Sequence, residues 1–150
     1  MSDVQVSTRP VLVALDIDGT LLLQDESLSE GILEAIRDAE AAGHTLMIAT
    51  GRSWHTVQRI MRELGLAREY VVASTGAVIL RRDESDATGY APFKVETFEP
   101  AGVLTLLREH LPEARYMVEQ PDGARLYTED IPEWELGRAK QVPFEVMLEV

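Results

Sequence analysis

Two carboxylates, Asp16 and Asp18, stand two residues apart directly behind the apolar run Val11–Leu15 and just before Gly19 and Thr20. If that run is a strand, the i, i+2 spacing turns both side chains the same way, one pleat apart. Carboxylates gathered at a strand end need water, a cation or a reacting group. Asp16 can serve as a nucleophile that forms an aspartyl-phosphate. Asp18 can protonate a leaving oxygen and later activate water. Phosphoryl transfer rests on positioning and charge neutralisation, so such a site needs few residue types. Gly19 lets the backbone turn away close to a ligand, and Thr20 can brace the turn. A divalent cation, Mg²⁺ before others, would offset repulsion between Asp16, Asp18 and phosphate oxygens. A second group, Thr50-Gly51-Arg52, ends another apolar run. It offers a hydroxyl and an amide to the same phosphate, and Arg52 reads equally as a substrate contact or a structural ion pair.

These residues need elements to hold them. Val11–Leu15 is short, partly β-branched and bounded by Pro10 and Gly19, which predicts a buried strand. A strand buried on both faces belongs to a parallel sheet covered by helices, and ligands gather at the carboxyl ends of such strands. Ser27-x-x-Glu30 has the form of a capping box. It predicts a helix with Ile32, Leu33, Ile36 and Ala39 on one face, ended by Gly43. Thr45–Ala49 predicts the second strand. Ser53 then caps a helix with Val57, Ile60, Met61 and Leu64, closed by Gly65. Tyr70–Ala73 predicts the third strand, with Ala77–Leu80 continuing as strand. Strand, helix, strand, helix, strand is the pattern of a parallel α/β sheet, a Rossmann-like three-layer core.

The character changes at Arg81–Gly89, a charged, turn-rich segment read as a domain boundary. Beyond it the sequence predicts a strand over Phe93–Phe98. A helix begins at Pro100 and uses Val103, Leu104, Leu107 and Leu111. Short strands follow at Tyr116–Val118 and Arg125–Tyr127, and the alternating Phe144–Val150 reads as a half-buried strand. His44, His55 and His110 are too scattered for a zinc site. They read as surface or packing residues, as does Trp54, while Tyr116, Tyr127 and Trp134 read as core of the second part.

Composition narrows the function. The chain has 26 acidic and 14 basic residues, a net charge of −12. Residues 1–80 carry 11 acidic and 6 basic groups, net −5, and residues 81–150 carry 15 and 8, net −7. Acidity spread over both halves argues against a nucleic-acid partner, which needs clustered Lys and Arg. No run of about 18 apolar residues predicts a membrane span, and the start lacks the pattern of a signal peptide. The absence of cysteine excludes disulfides and thiolate metal sites and fits a cytoplasmic setting.

Three motifs carry a resemblance. Asp16-Ile-Asp-Gly-Thr20 resembles the first motif of the haloacid dehalogenase superfamily. Ala49-Thr-Gly-Arg-Ser53 resembles its second motif, in the form found in the Cof-type, subfamily IIB sugar-phosphate phosphatases with a large α/β cap. Ser74-Thr-Gly-Ala77 sits where that subfamily usually has Ser-Asn-Gly-Ala, so Thr75 departs from the pattern. The resemblance implies the amino-terminal half of the family's core over residues 9–80 and part of an inserted cap over 81–150. It implies a Mg²⁺-dependent phosphatase of small phosphate monoesters. Asp16 would be nucleophile and metal ligand, Asp18 acid/base and metal ligand through its carbonyl, and Thr50 a phosphate ligand. Gly19, Gly51 and Arg52 would line the substrate side.

The family's third motif, a phosphate-binding lysine, and its fourth, an acidic metal-binding pair, have no counterpart. The sequence holds only Lys94 and Lys140, and no Gly-Asp-x-x-Asn-Asp stretch. Two further readings stay open. One is a catalytically incompetent fragment that needs the rest of the core or a partner, and is prone to self-association through an incomplete core. The other is a receiver-type phospho-acceptor domain, which would need an aspartate where the third strand instead ends in Ser74-Thr75-Gly76.

Overall fold

The structure, a computed structural model, describes residues 9–129 and 139–150; Trp134 and residues 1–8 lie outside them. The chain divides into two compact units, Met1–Lys94 and Val95–Val150.

In the first unit, β1 (Leu12–Leu15), β2 (Thr45–Ala49) and β3 (Tyr70–Ala73) are linked by α1 (Ile32–Ala41) and α2 (Trp54–Glu63). β1 pairs with β2 and β2 with β3, both in parallel. β4 (Val78–Arg82) turns back antiparallel to β3, and β5 (Tyr90–Val95) completes the order β1-β2-β3-β4-β5. The segment Arg81–Gly89 therefore includes a hairpin turn inside this sheet, stitched by Asp83 and Asp86, whose carboxylates each hold the amide and hydroxyl two residues on.

Both helices end in the same way. The amides of Gly43 and His44 reach back to Glu40 and Ala39, and those of Gly65 and Leu66 to Arg62 and Met61, the paired bonds of a Schellman motif. The start of α1 departs from expectation. Ser27 caps nothing: its amide and hydroxyl both bond to Asp25 Oδ1, at 3.0 and 2.5 Å. The helix begins only behind Gly31, whose φ of 72° breaks the chain direction there. A local Asx turn has outcompeted the capping box.

One sheet face packs against the helices. Leu46, Ile48, Val71 and Ala73 share a core with Ile36, Val57, Ile60 and Met61, and with Ile17 and Leu21 from the loop after β1. Each fully buried Ile or Val there contributes about 1.5–3 kcal/mol. Among the described residues nothing covers the opposite side of β1. β1 stands at the end of the sheet order, its residues alternate exposed and half-buried, and Leu12 is 63% exposed. The expectation of a strand buried on both faces is thus corrected, because β1 is an edge strand packed on one face.

The second unit has α3 (Ala101–His110) and the sheet β6 (Met117–Glu119), β7 (Arg125–Tyr127) and β8 (Ala139–Gln141), then α4 (Phe144–Met147). Leu104, Tyr116, Val142 and Met147 form its core, with Val118, Leu126 and Phe144 against it. Phe144–Val150, expected as a strand, instead opens with α4. After Pro143 the apolar Phe144, Met147 and Leu148 recur at three and four residues, and that helical face is the one buried. No helix among the described residues is long and apolar enough to cross a membrane.

Candidate active site

The register fixes the relation between the two residue groups. Leu15 pairs with Ile48 in parallel, so Asp16 and Thr50 lie just beyond neighbouring strand ends on the same edge of the sheet. Asp16 is exposed, and one oxygen of its carboxylate accepts a 2.7 Å bond from the Ile17 amide. The chain then folds into a tight loop. Gly19, at φ 71°, donates to the Leu22 carbonyl at 2.7 Å, and Leu22 donates to Ile17 at 2.8 Å. The left-handed backbone at Gly19 is costly for other residue types. Ile17 and Leu21 anchor this loop in the core with no exposed surface, which leaves Asp16 and Asp18 facing outward. Thr20 braces the loop through its backbone: its carbonyl accepts from Ser29 Oγ at 2.8 Å.

Thr50 is 5% exposed. Its hydroxyl oxygen accepts a 3.3 Å bond from the Arg52 amide, and its own amide donates to Val72 at 3.0 Å. The end of β3 is tied to the same turn. Thr75 donates to the Thr50 carbonyl at 3.1 Å and Ser74 to that of Arg52 at 2.9 Å. A Cβ at Gly51 would meet Thr75 Oγ1 at 3.5 Å, so the Gly51 backbone lies beside that hydroxyl. The turn needs Ser74 and Thr75 at φ 48° and 55°.

The main electrostatic feature is Arg52. Its Nε reaches Asp18 Oδ2 at 3.0 Å and its Nη2 reaches Oδ1 at 2.6 Å, a forked pair, while Nη1 lies 3.4 Å from Glu26 Oε1. Hydrogen bonding to Arg52, opposed by slight burial and helped by its charge, lowers the Asp18 carboxyl below the usual carboxylate range. The same pairing raises the Arg52 guanidinium. Asp18, Arg52 and Thr50 are thus linked by bonds, whereas Asp16 makes no bond to the other candidates. Glu26 was not legible as a member of the site. It sits ten residues past Asp16 with φ 61°, in a loop without periodicity, and no spacing rule points to it.

A metal is tested by the donors present. Among the described residues no group of three His, Cys, Asp or Glu side chains could enclose a cation, and the Asp18 carboxylate is occupied by Arg52. The Asp16 carboxylate and a backbone carbonyl are hard oxygen donors. That set suits Mg²⁺, which is commonly held by one or two carboxylates with waters and phosphate oxygens completing the octahedron.

Comparison with known proteins places the chain in a family. The sequence profile of the haloacid dehalogenase-like hydrolases matches residues 13–123. The putative phosphatase YxeH of Bacillus subtilis is 40% identical over 70 residues, 45% of this chain and 26% of that protein. The 5-amino-6-(5-phospho-D-ribitylamino)uracil phosphatase YitU of the same organism is 34% identical over 80 residues, 53% of this chain and 30% of that protein. Among solved structures, a subclass IIB sugar phosphatase superposes with a TM-score of 0.71 at 16% identity, over 95% of this chain and 55% of that one. A haloacid dehalogenase-like hydrolase from B. subtilis gives 0.59 at 25% identity, over 81% and 40%. The matched stretches span less than a third of these two curated relatives.

Proposed function

We propose, from the premise that this chain belongs to the haloacid dehalogenase-like hydrolases, that it carries the nucleophile side of a site hydrolysing small phosphate monoesters, sugar phosphates foremost. The observation that supports the reading is the pair Asp16 and Asp18 at the carboxyl end of β1, beside Thr50 at the end of the adjacent parallel β2. In this reading an Asp16 oxygen attacks phosphorus and the bond to the leaving oxygen breaks. Asp18 gives its proton to that oxygen. Water then attacks the aspartyl-phosphate, Asp18 takes its proton, and inorganic phosphate leaves with Asp16 restored. Thr50 and the Gly51 amide hold phosphoryl oxygens, and Gly19 keeps the loop clear of them. Mg²⁺, held by the Asp16 carboxylate and the Asp18 carbonyl, would neutralise phosphoryl charge.

Arg52 fits this scheme as a substrate ligand only if it changes partner. Forked onto Asp18 it favours the carboxylate, the wrong form for an acid. A phosphoryl group offers the same guanidinium a stronger bidentate acceptor, and transfer of Arg52 to it frees Asp18 to carry a proton.

The uncovered side of β1 favours a second reading of how the site is completed. Among the described residues Arg52 pairs with Asp18 and Glu26 while no cation pairs with Asp16, and Val11 and Leu12 are 46% and 63% exposed. Further core polypeptide or a partner, including a second copy, would then supply the remaining positive charge. The test is hydrolysis of p-nitrophenyl phosphate with Mg²⁺ by this 150-residue chain and its Asp16→Asn variant. We expect weak turnover that Asp16→Asn removes; turnover that survives the substitution refutes Asp16 as nucleophile.

A further inference from the structure

The turn that follows β3 is strained at a residue that no packing demand explains. Ser74, Thr75 and Gly76 are left-handed in succession, at φ 48°, 55° and 95°. Thr75 is β-branched, the type for which this region is least accessible. Two backbone bonds impose the conformation. The amides of Ser74 and Thr75 donate to the carbonyls of Arg52 and Thr50, at 2.9 and 3.1 Å, and so clasp Gly51 from both sides. Strain of this kind persists where the surrounding structure holds it, and it collects at ligand sites.

The clasp positions the Thr75 hydroxyl. Its Oγ1 lies 3.5 Å from the place that a Gly51 Cβ would take. A side chain at 51 would stand against that oxygen; glycine leaves the space beside it open. Both residues are exposed. Among the described residues neither the Gly51 amide nor the Thr75 hydroxyl has a hydrogen-bond partner. Thr50 adds a third donor: its oxygen accepts from the Arg52 amide, which leaves its own proton for another acceptor. Solvation alone does not explain a threonine here, because asparagine or glycine would meet water equally well and fit this φ better.

The geometry points to Thr75 as a further ligand of the phosphoryl group, its hydroxyl donating to an oxygen seated at the Gly51 amide. The inference rests on the phosphatase reading above and adds to it a donor from the end of β3. Thr75 is also where the chain departs from the Ser-Asn-Gly-Ala pattern. A threonine oxygen is carried on Cβ, one bond nearer the backbone than an asparagine amide nitrogen. It therefore serves a phosphoryl group drawn up close to the turn.

The test is calorimetric titration of the full chain with inorganic phosphate in the presence of Mg²⁺, on wild type, Thr75→Val, Thr75→Ser and Thr50→Val. Thr75→Val keeps the branch and the backbone strain but loses the donor. It should bind phosphate about tenfold more weakly, the worth of one hydrogen bond to a charged acceptor, and melt with wild type when phosphate is absent. Thr75→Ser keeps the hydroxyl and should bind close to wild type. If valine lowers the phosphate-free melt, Thr75→Ser against Thr75→Ala makes the same comparison, since those two differ only by the hydroxyl.

Three results overturn the proposal. Thr75→Val binds phosphate as tightly as wild type; serine falls as far as valine; or the wild-type chain takes up no phosphate. Loss of binding in Thr50→Val with none in Thr75→Val removes Thr75 alone and leaves the phosphatase reading standing. Turnover that survives Asp16→Asn would instead remove that reading, while a phosphate affinity dependent on the Thr75 hydroxyl would stand as anion binding at this turn.

Discussion

Thr75 offers a sharp test of the turn that joins the ends of β2 and β3. It is a β-branched residue at φ 55°, ψ 32°, where an L-residue loses about 1–2 kcal/mol to the clash of Cβ with the backbone. Branching at Cβ makes such a position an outlier. Asparagine tolerates it best of the non-glycine types because its short amide bonds locally. Against this gain, little is lost. Thr75 is exposed, its bond to the Thr50 carbonyl comes from the backbone amide, and its hydroxyl makes no hydrogen bond among the described residues. Thr75→Asn should therefore stabilise the first unit by about 1 kcal/mol, some 4–8 °C for a unit of this size. Thr75→Gly should gain less, since glycine adds about 0.4–1 kcal/mol of chain entropy to the unfolded state. Thr75→Val keeps the branch and should stay within roughly 0.5 kcal/mol of wild type. Urea and thermal melts of the four proteins decide it. If valine stabilises as much as asparagine, or asparagine gives nothing, backbone strain at this turn is not the governing effect.

Two other substitutions probe the site and its support. Arg52→Met should let the Asp18 carboxyl rise toward its ordinary value. The folded-state shift is downward, so the pair's stabilisation is complete above the unfolded carboxylate value, about 3.9, and is lost as pH falls through the depressed one. Asp18 is 59% exposed, so the loss at neutral pH should be at most about 1 kcal/mol. The gap between the two proteins should close in strong acid, and a gap unchanged by pH in urea titrations contradicts the assignment. Tyr90→Phe should cost about 1–3 kcal/mol. Its hydroxyl accepts from the Arg68 amide at 2.8 Å and donates to the Arg68 carbonyl at 2.6 Å. Phenylalanine keeps the ring against Trp54 at 5.1 Å but leaves both backbone groups unpaired. A thermal melt within error of wild type would show that water replaces the hydroxyl freely.

Where the signal was local, the sequence could be read. β2 and β3 fall on the residues expected, because short runs with β-branched residues between turns have no competing period, and β7 does so behind the turn Pro121-Asp-Gly123. α1 and α2 end at Gly43 and Gly65 as expected, since the Schellman bonds are local. The failures have one cause each. At Ser27 the carboxylate of Asp25 was the nearer partner, and at Phe144–Met147 a strict alternation also fitted a helical face behind Pro143. In the site, Asp16, Asp18 and Thr50 were legible from their place behind apolar runs. The Arg52 fork to Asp18 spans 34 residues of sequence, and nothing in either motif states that the two side chains meet. Glu26 and the left-handed Thr75 were equally hidden, for both follow from how loops close and not from which residues recur.

The exposure of β1 and the shortage of positive charge at the site are linked by geometry. β1 is four residues long, and Asp16 follows it without an intervening residue. Among the described residues β2 takes one side of it, and the other side presents backbone donors and acceptors with Leu12 beside them. An apolar strand edge of this kind favours pairing with another chain segment. Any segment laid along those four residues places its own end within a residue or two of Asp16. On the function proposed above, covering the edge and completing the site are one event: a partner strand laid parallel to β1 delivers whatever follows it to Asp16. Acidic groups arriving there would add to the repulsion among Asp16, Asp18 and Glu26 unless Mg²⁺ offset it, whereas a segment that brings a lysine or arginine would offset it directly.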